Sequence, residues 1–210
     1  MNGNVGNEIN ISDEASSESN LENGTSDNKL EEISKLMKDV LRILNPNLKN
    51  DIISKTPARF AKALMEFTHG YEDDLDLIVS DALFDNEDYN DIIKIKNINF
   101  SSLCEHHLLP FHGECSIGYI PNKLIMGLSK FSRLVQSLSK KLHLQERLTR
   151  EIAESLFRIL QPLGVVVEMS AVHSCMCFRG IKSFNAGTSS IYTIGLMKEK
   201  DNLNKYFKMK

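Results

Sequence analysis

The sequence predicts an α+β domain, an antiparallel sheet with a pair of helices packed on one face. Two observations predict it. Two hairpin-like pairs of strand segments flank one long helical stretch, and that stretch breaks once, near its middle, which reads as two helices or a bent one. Two further helical segments precede the first strand and read as an N-terminal helical extension.

The elements follow in order. Residues 1–28 are rich in Asn, Ser, Glu and Gly and almost lack large apolar groups, so a disordered acidic tail is expected there. From Leu30 the pattern changes: Leu30, Ile33, Met37, Val40, Leu41 and Leu44 recur at helical spacing, and Asn45-Pro46 ends the run. Thr56-Pro57 reads as an N-cap followed by proline at the first helical position. Ala61, Leu64 and Phe67 mark that helix's buried side, and it ends near Gly70. An acidic loop is expected through about Tyr89, which puts a helical subdomain at 29–90 and the main domain at 91–210.

Ile93 and Ile95 alternate with lysines, and Ile98 and Phe100 continue out of phase, so a bulge is expected at Asn97. A second strand spans about Gly113 to Ile120, closed by Pro121-Asn122. Ser129 to about Leu160 is helical. Phe131, Leu134, Val135 and Leu138 form one stripe, Leu148, Ile152, Leu156 and Ile159 another, with a break near His143-Leu144. Pro162 and Gly164 stop the stretch. Val165 to Cys175 and Ser189 to Met197 read as the last two strands.

Charge narrows the function classes. The chain of 210 residues has net charge −3, but residues 1–28 hold six acids and no Lys or Arg, so the remainder carries +3. A mildly basic body suits an anionic small molecule and is too weak a signal for a nucleic-acid binder. No run of eighteen apolar residues is present, and the N-terminus lacks the pattern of a signal peptide, so a cytoplasmic chain with no membrane partner is expected. Its four cysteines should then be reduced, which favours metal binding or catalysis.

The densest chemistry lies in Cys104-Glu105-His106-His107. Cys104 and His107 are three apart, so one turn can aim both at a single ion. Far downstream, His173 and Cys175 share the strand parity of Val165, Val167, Met169 and Ala171. Cys104, His107 and Cys175 would give three soft ligands suited to zinc and leave a fourth position for water, as catalytic zinc sites do. Cys177 stands as an alternative fourth ligand that would close the site and make the metal structural. His106 and His173 would be proton carriers beside it. Cys115, mid-strand, reads as a small buried hydrophobe.

An anion site is expected where Ser129 and Lys130 open the long helix, with Arg133 one turn on and Arg179 arriving from beyond the Cys175 strand. A solvated helix face is the plainer reading of the same lysines. Glu146, next to Gln145, could accept two hydrogen bonds from a guanine edge, or pair with Arg147 or Arg150.

Several motifs together resemble the GTP cyclohydrolase I family. They are Cys-Glu-His-His-Leu at 104–108, Gly-Tyr-Ile-Pro-Asn-Lys at 118–123, Gly-Leu-Ser-Lys at 127–130, Gln-Glu-Arg-Leu-Thr at 145–149, and His-x-Cys-Met at 173–176 with Arg179-Gly180. Thr56-Pro57 with Arg59, Ala61 and Lys62 is similar to that family's N-terminal helix. The likeness covers about Leu30 to Phe207.

The resemblance implies a T-fold subunit in a toroidal homodecamer, with active sites where subunits meet. It implies zinc on Cys104, His107 and Cys175, with Cys177 not a ligand. His106, His173, Ser129 and Gln145 would be catalytic, and Glu146 would recognise guanine. Lys130, Arg133 and Arg179 would hold the triphosphate, with Lys62 and Arg59 also toward substrate. The reaction implied is hydrolysis of GTP to 7,8-dihydroneopterin triphosphate and formate, the entry to folate or tetrahydrobiopterin synthesis. Two alternatives compete: a non-catalytic zinc-stabilised binding module using Cys177, and another T-fold purine or pterin enzyme, distinguished by whether GTP releases formate.

Overall fold

Apolar spacing and helix breakers set the element order, and the computed structural model describes residues 12–209. The chain resolves into two compact units, divided between Glu66 and Phe67. The first holds helix α1 (Ser12–Leu44) and most of α2 (Asn50–Thr68). The link between them turns on Asn45: its N–H donates to Leu41 O at 3.1 Å, and its Oδ1 accepts from the Asn47 N–H at 3.0 Å. That side-chain turn, with Pro46 lacking a donor, stops α1 where the sequence places its end.

The second unit begins with α3 (Leu75–Val79), capped by Asp74, whose carboxylate accepts from the Asp76 and Leu77 N–H groups. Then come β1 (Leu83–Asp85), β2 (Ile93–Cys104), β3 (Pro110–Ile120) and β4 (Leu124–Met126). Helix α4 (Leu128–Ser139), the short β5 (Leu142–His143) and α5 (Gln145–Leu160) follow, then β6 (Gly164–His173), α6 (Ser174–Cys177), β7 (Thr188–Gly195) and α7 (Lys200–Lys208). The main sheet has the order β5-β2-β3-β6-β7, antiparallel except for the β2–β5 pair.

The α+β architecture and the helix pair match the sequence expectation. Phe131, Leu134, Val135 and Leu138 of α4 and Leu148, Ile152 and Leu156 of α5 are buried in one core with Ile117, Val165, Val167 and Met169 of the sheet. The bulge is also where the sequence puts it. Ile95 pairs with Ile117 and Ile98 with Cys115, so β2 carries one extra residue. Asn97 absorbs it at φ 58°, a left-handed conformation that asparagine tolerates well. The slip returns Ile98 and Phe100 to the core that Ile93 and Ile95 already line.

The opposite sheet face carries a smaller core that sequence reading did not find. Ile92, Ile120, Val166 and Met197 pack there around Tyr206 of α7. The ring fits because position 118 is glycine: a Cβ there would lie 2.6 Å from Tyr206 Cδ2. Lys94 Nζ donates to Tyr206 O at 3.2 Å and Met209 O at 3.1 Å and sits 4.1 Å above the Tyr206 ring centre, so it neutralises the helix C-terminus. Burial first, then the Glu168 carboxylate, pushes the Tyr206 phenol's pKa up and keeps it protonated.

Other expectations change. The disordered tail was expected to reach residue 28, but α1 begins at Ser12, because extending a formed helix adds a hydrogen bond per residue without a new nucleation cost. Residues 1–11 of that tail lie outside the described residues. Helix α2 does not start at Pro57; the Ile52 and Ile53 N–H groups already donate to Lys49 O, and Pro57 is carried inside the helix. The stretch from Phe67 to about residue 90, expected with the N-terminal helices, belongs to the second unit, where Val79 is buried in the main core and Leu75 and Ile78 pack on it. The break at His143-Leu144 is a two-residue strand, β5, parallel to the end of β2.

Replacing Tyr206→Ala should lower stability by about 3–5 kcal/mol, as emptying an aromatic core site does, read as a fall in melting temperature. Tyr206→Phe, which loses only the 3.4 Å bond to Glu168, should cost about 1 kcal/mol.

Candidate active site

Strand pairing brings two distant segments to one end of the sheet. In the register, Leu103 faces Pro110 and Phe111 faces His173, so the ends of β2 and β6 meet across the start of β3. Beyond Cys104 the chain makes a tight turn: the His107 and Leu108 N–H groups both donate to Cys104 O, at 3.2 and 2.8 Å, and Leu108 closes it at φ 51°. That turn aims His107 back at Cys104, with Sγ and Nδ1 3.6 Å apart.

Cys175 completes the group from a place the sequence did not predict. The strand ends at His173, and Cys175 sits in the single turn α6. The ligand atoms of Cys104, His107 and Cys175 all lie within 4.8 Å of one another. Two thiols and an imidazole at that spacing fit a metal ion. Two of the three resist the charged state as free groups: burial first, then Cys104, raises the Cys175 thiol's pKa, with Arg179 opposing. Burial, Arg179 and His106 lower that of His107. A bound cation would reverse this balance for the thiols.

Cys177 stays outside the cluster; it is buried, and its Sγ points to Ser183 O at 3.6 Å. Cys115 is the buried hydrophobe expected, its thiol pushed up to about 12 by burial and then by Glu168.

Beside the cluster lies a held imidazole. His173 stacks on Phe111, centroids 4.5 Å apart and planes 3° off parallel. Its Nε2 lies 2.8 Å from Gln145 Oε1. Burial lowers its pKa, and the nearby Glu146 carboxylate opposes that shift. Glu146 is exposed at the start of α5, and neither arginine considered as its partner takes it: Arg147 makes a two-pronged pair with Glu105, at 2.6 and 3.2 Å, and Arg150 faces Glu154. The Glu105–Arg147 pair escaped sequence reading; it ties the turn after Cys104 to α5. A cleft of about 590 Å³ opens here, with Leu144, Glu146, Arg150, Ser190 and Tyr192 in its wall.

His106, half in solvent, is beside the cluster. Arg179 also reaches it electrostatically. The other anion-binding candidates gather elsewhere in the second unit. Lys130 Nζ donates to Asp81 Oδ1 at 2.7 Å, and Arg133 adds its charge near the same carboxylate, whose pKa the pair holds below the usual range. Ser129 is exposed on the first turn of α4. Arg59 and Lys62 belong to α2, in the first unit.

Three groups that could hold a metal ion, next to a fixed imidazole and an exposed carboxylate, are the features of a metal-dependent enzyme. Residues 33–210 match the family model described as GTP cyclohydrolase I. The chain is 41% identical over 166 residues to GTP cyclohydrolase 1 of Dictyostelium discoideum, covering 79% of this chain and 71% of that one. It is 42% identical to the Rattus norvegicus enzyme of that name, over 76% of this chain and 66% of the other. With the one from Parabacteroides distasonis it shares 41% identity, over 77% of this chain and 83% of the other. The chain belongs to the GTP cyclohydrolase I family. Among the described residues, no helix is long and apolar enough to cross a membrane.

Cys175→Ser should cut bound metal from roughly one ion per chain to near none, whereas Cys177→Ser should retain it; elemental analysis of the purified variants decides.

Proposed function

We propose that this protein is a zinc-dependent GTP cyclohydrolase that converts GTP to 7,8-dihydroneopterin triphosphate and formate. The observation that carries the reading is the convergence of Cys104, His107 and Cys175 beside His173 and Glu146 in a chain of this family. Cys104, His107 and Cys175 would hold zinc, which when bound lowers the pKa of water to about 7.

The protein's own residues do the rest. Glu146 accepts the guanine N1–H and 2-amino hydrogens and so orients the base over the cluster. Arg179, Lys130 and Arg133 anchor the triphosphate, joined by Arg59 and Lys62. The triphosphate is not cleaved, so its binding energy holds the reacting ring in place. His173 gives a proton to N7 as water adds at C8, and the imidazole ring of the purine opens. A second hydrolysis releases C8 as formate. The ribose then opens, rearranges and recloses as the dihydropterin, with His106 moving protons and Ser129 assisting.

Lys130 and Arg133 gather around Asp81 within one copy of the chain, which supports a site completed where subunits meet. Phe178, Ile181 and Phe184, exposed just past the metal cluster, support the same assembly, a toroidal homodecamer of T-fold subunits acting in the cytoplasm.

Zinc-loaded protein incubated with GTP should release formate in step with a pterin that fluoresces after oxidation. Cys104→Ala should abolish both. Glu146→Gln should lower kcat/KM by about 100-fold, since a hydrogen bond to a charged group is worth about 1.5–3 kcal/mol. Bound zinc without formate would sink the assignment.

A further inference from the structure

The Gln145 side chain is 1% exposed, and its hydrogen-bonding atoms are committed within the protein. One end of its amide lies 3.2 Å from Met169 O, 2.9 Å from Thr188 O and 3.1 Å from Ser190 Oγ. The other end lies 2.8 Å from His173 Nε2. Two of these neighbours are backbone carbonyls, which can only accept, so the end facing them must be the NH2 group.

The third neighbour agrees. Thr149 has one hydroxyl hydrogen, and Gln145 O at 2.7 Å can only accept it. Ser190, 2.7 Å from Thr149 Oγ1, must then donate to that oxygen. Its remaining lone pairs face the Gln145 NH2, whose two hydrogens are shared among the two carbonyls and this oxygen. The amide is thus fixed by β6, β7 and α5 together, with Oε1 toward the histidine. An oxygen there leaves His173 one choice: Nε2 carries the hydrogen.

We infer that Gln145, oriented by Thr149 and Ser190, is a positioning residue that holds His173 as the Nε2–H form and leaves Nδ1 as the atom that exchanges a proton with the substrate. Gln145 therefore acts through the ring and does not touch the nucleotide. Stacking on Phe111 fixes the ring plane, and the amide fixes its rotation within that plane. The kinetic consequences rest on the proposed GTP reaction; the tautomer does not.

The test has two arms. In the full-length, metal-loaded protein labelled with ¹⁵N-histidine, the His173 resonances, assigned by their loss in His173→Asn, are read at a pH where the ring is neutral. Protonated Nε2 with bare Nδ1 is expected, and a hydrogen on Nδ1 overturns the inference. In Gln145→Met, which keeps the length but cannot accept, the signal should become a tautomer mixture. There kcat should fall about 10–100-fold, as loss of such orienting partners does, with KM nearly unchanged. Thr149→Val should move the same way by less, and Thr149→Ser should restore it. A raised KM with unchanged kcat in Gln145→Met would mean that Gln145 contacts substrate, and would overturn the inference. Absence of formate from every variant and the parent, with the Nε2–H signal intact, would reject the GTP reaction and leave the positioning role standing.

Discussion

The register of three strands governs this molecule. Pairing of β2 with β3, and of β3 with β6, carries Cys104 and His173 from separate parts of the sequence to one end of the sheet. A slip of one residue would turn every side chain of a strand to the other face and scatter the cluster. The bulge at Asn97 belongs to this constraint. Were β2 to run through Asn97 in regular pairing, with no bulge to absorb the slip, Ile98 and Phe100 would face away from the main core. The mostly antiparallel sheet, with α4 and α5 clamped on one face, is what makes the register rigid enough to place ligands from separate segments.

At the site itself the sheet is used a second time, as a source of backbone acceptors. Met169 O and Thr188 O come from adjacent strands, and a single buried amide reads both. Backbone groups cannot titrate or rotate independently of the sheet. The ring next to that amide therefore takes its orientation from the fold rather than from another mobile side chain. The Glu105–Arg147 pair does the corresponding job for the turn after Cys104, from a more exposed position.

Much of this was legible in the residues. Alternation and its slip gave β2 and its bulge, and heptad-like stripes gave α4 and α5. Ligand chemistry gave the cluster, because Cys and His three apart in one turn have few other reasons to converge. Four kinds of feature were not legible. Short elements such as α3, β1 and β4 are held by packing on the main core, and five or fewer residues carry too little periodicity to register. Helix α7 has a polar sequence whose single buried ring, Tyr206, matters only because Gly118 makes room for it. Cys175 was placed on a strand because its parity continued, and nothing in a two-residue alternation reveals that the backbone turns into a helical loop after His173. The orienting roles of Thr149 and Ser190 depend on atoms 41 residues apart, beyond any local pattern.

The packing of α7 has a bearing on quality control in the cell. A chain cut short before Lys200, as a late premature stop would leave it, keeps Cys104, His107 and Cys175, the imidazole and the amide that holds it. It loses the cover over Ile92, Ile120 and Val166, an apolar sheet face that water would then meet directly. Such a product would keep these groups and still be withdrawn as an aggregate or by proteases, so selection on the last helix acts first through solubility.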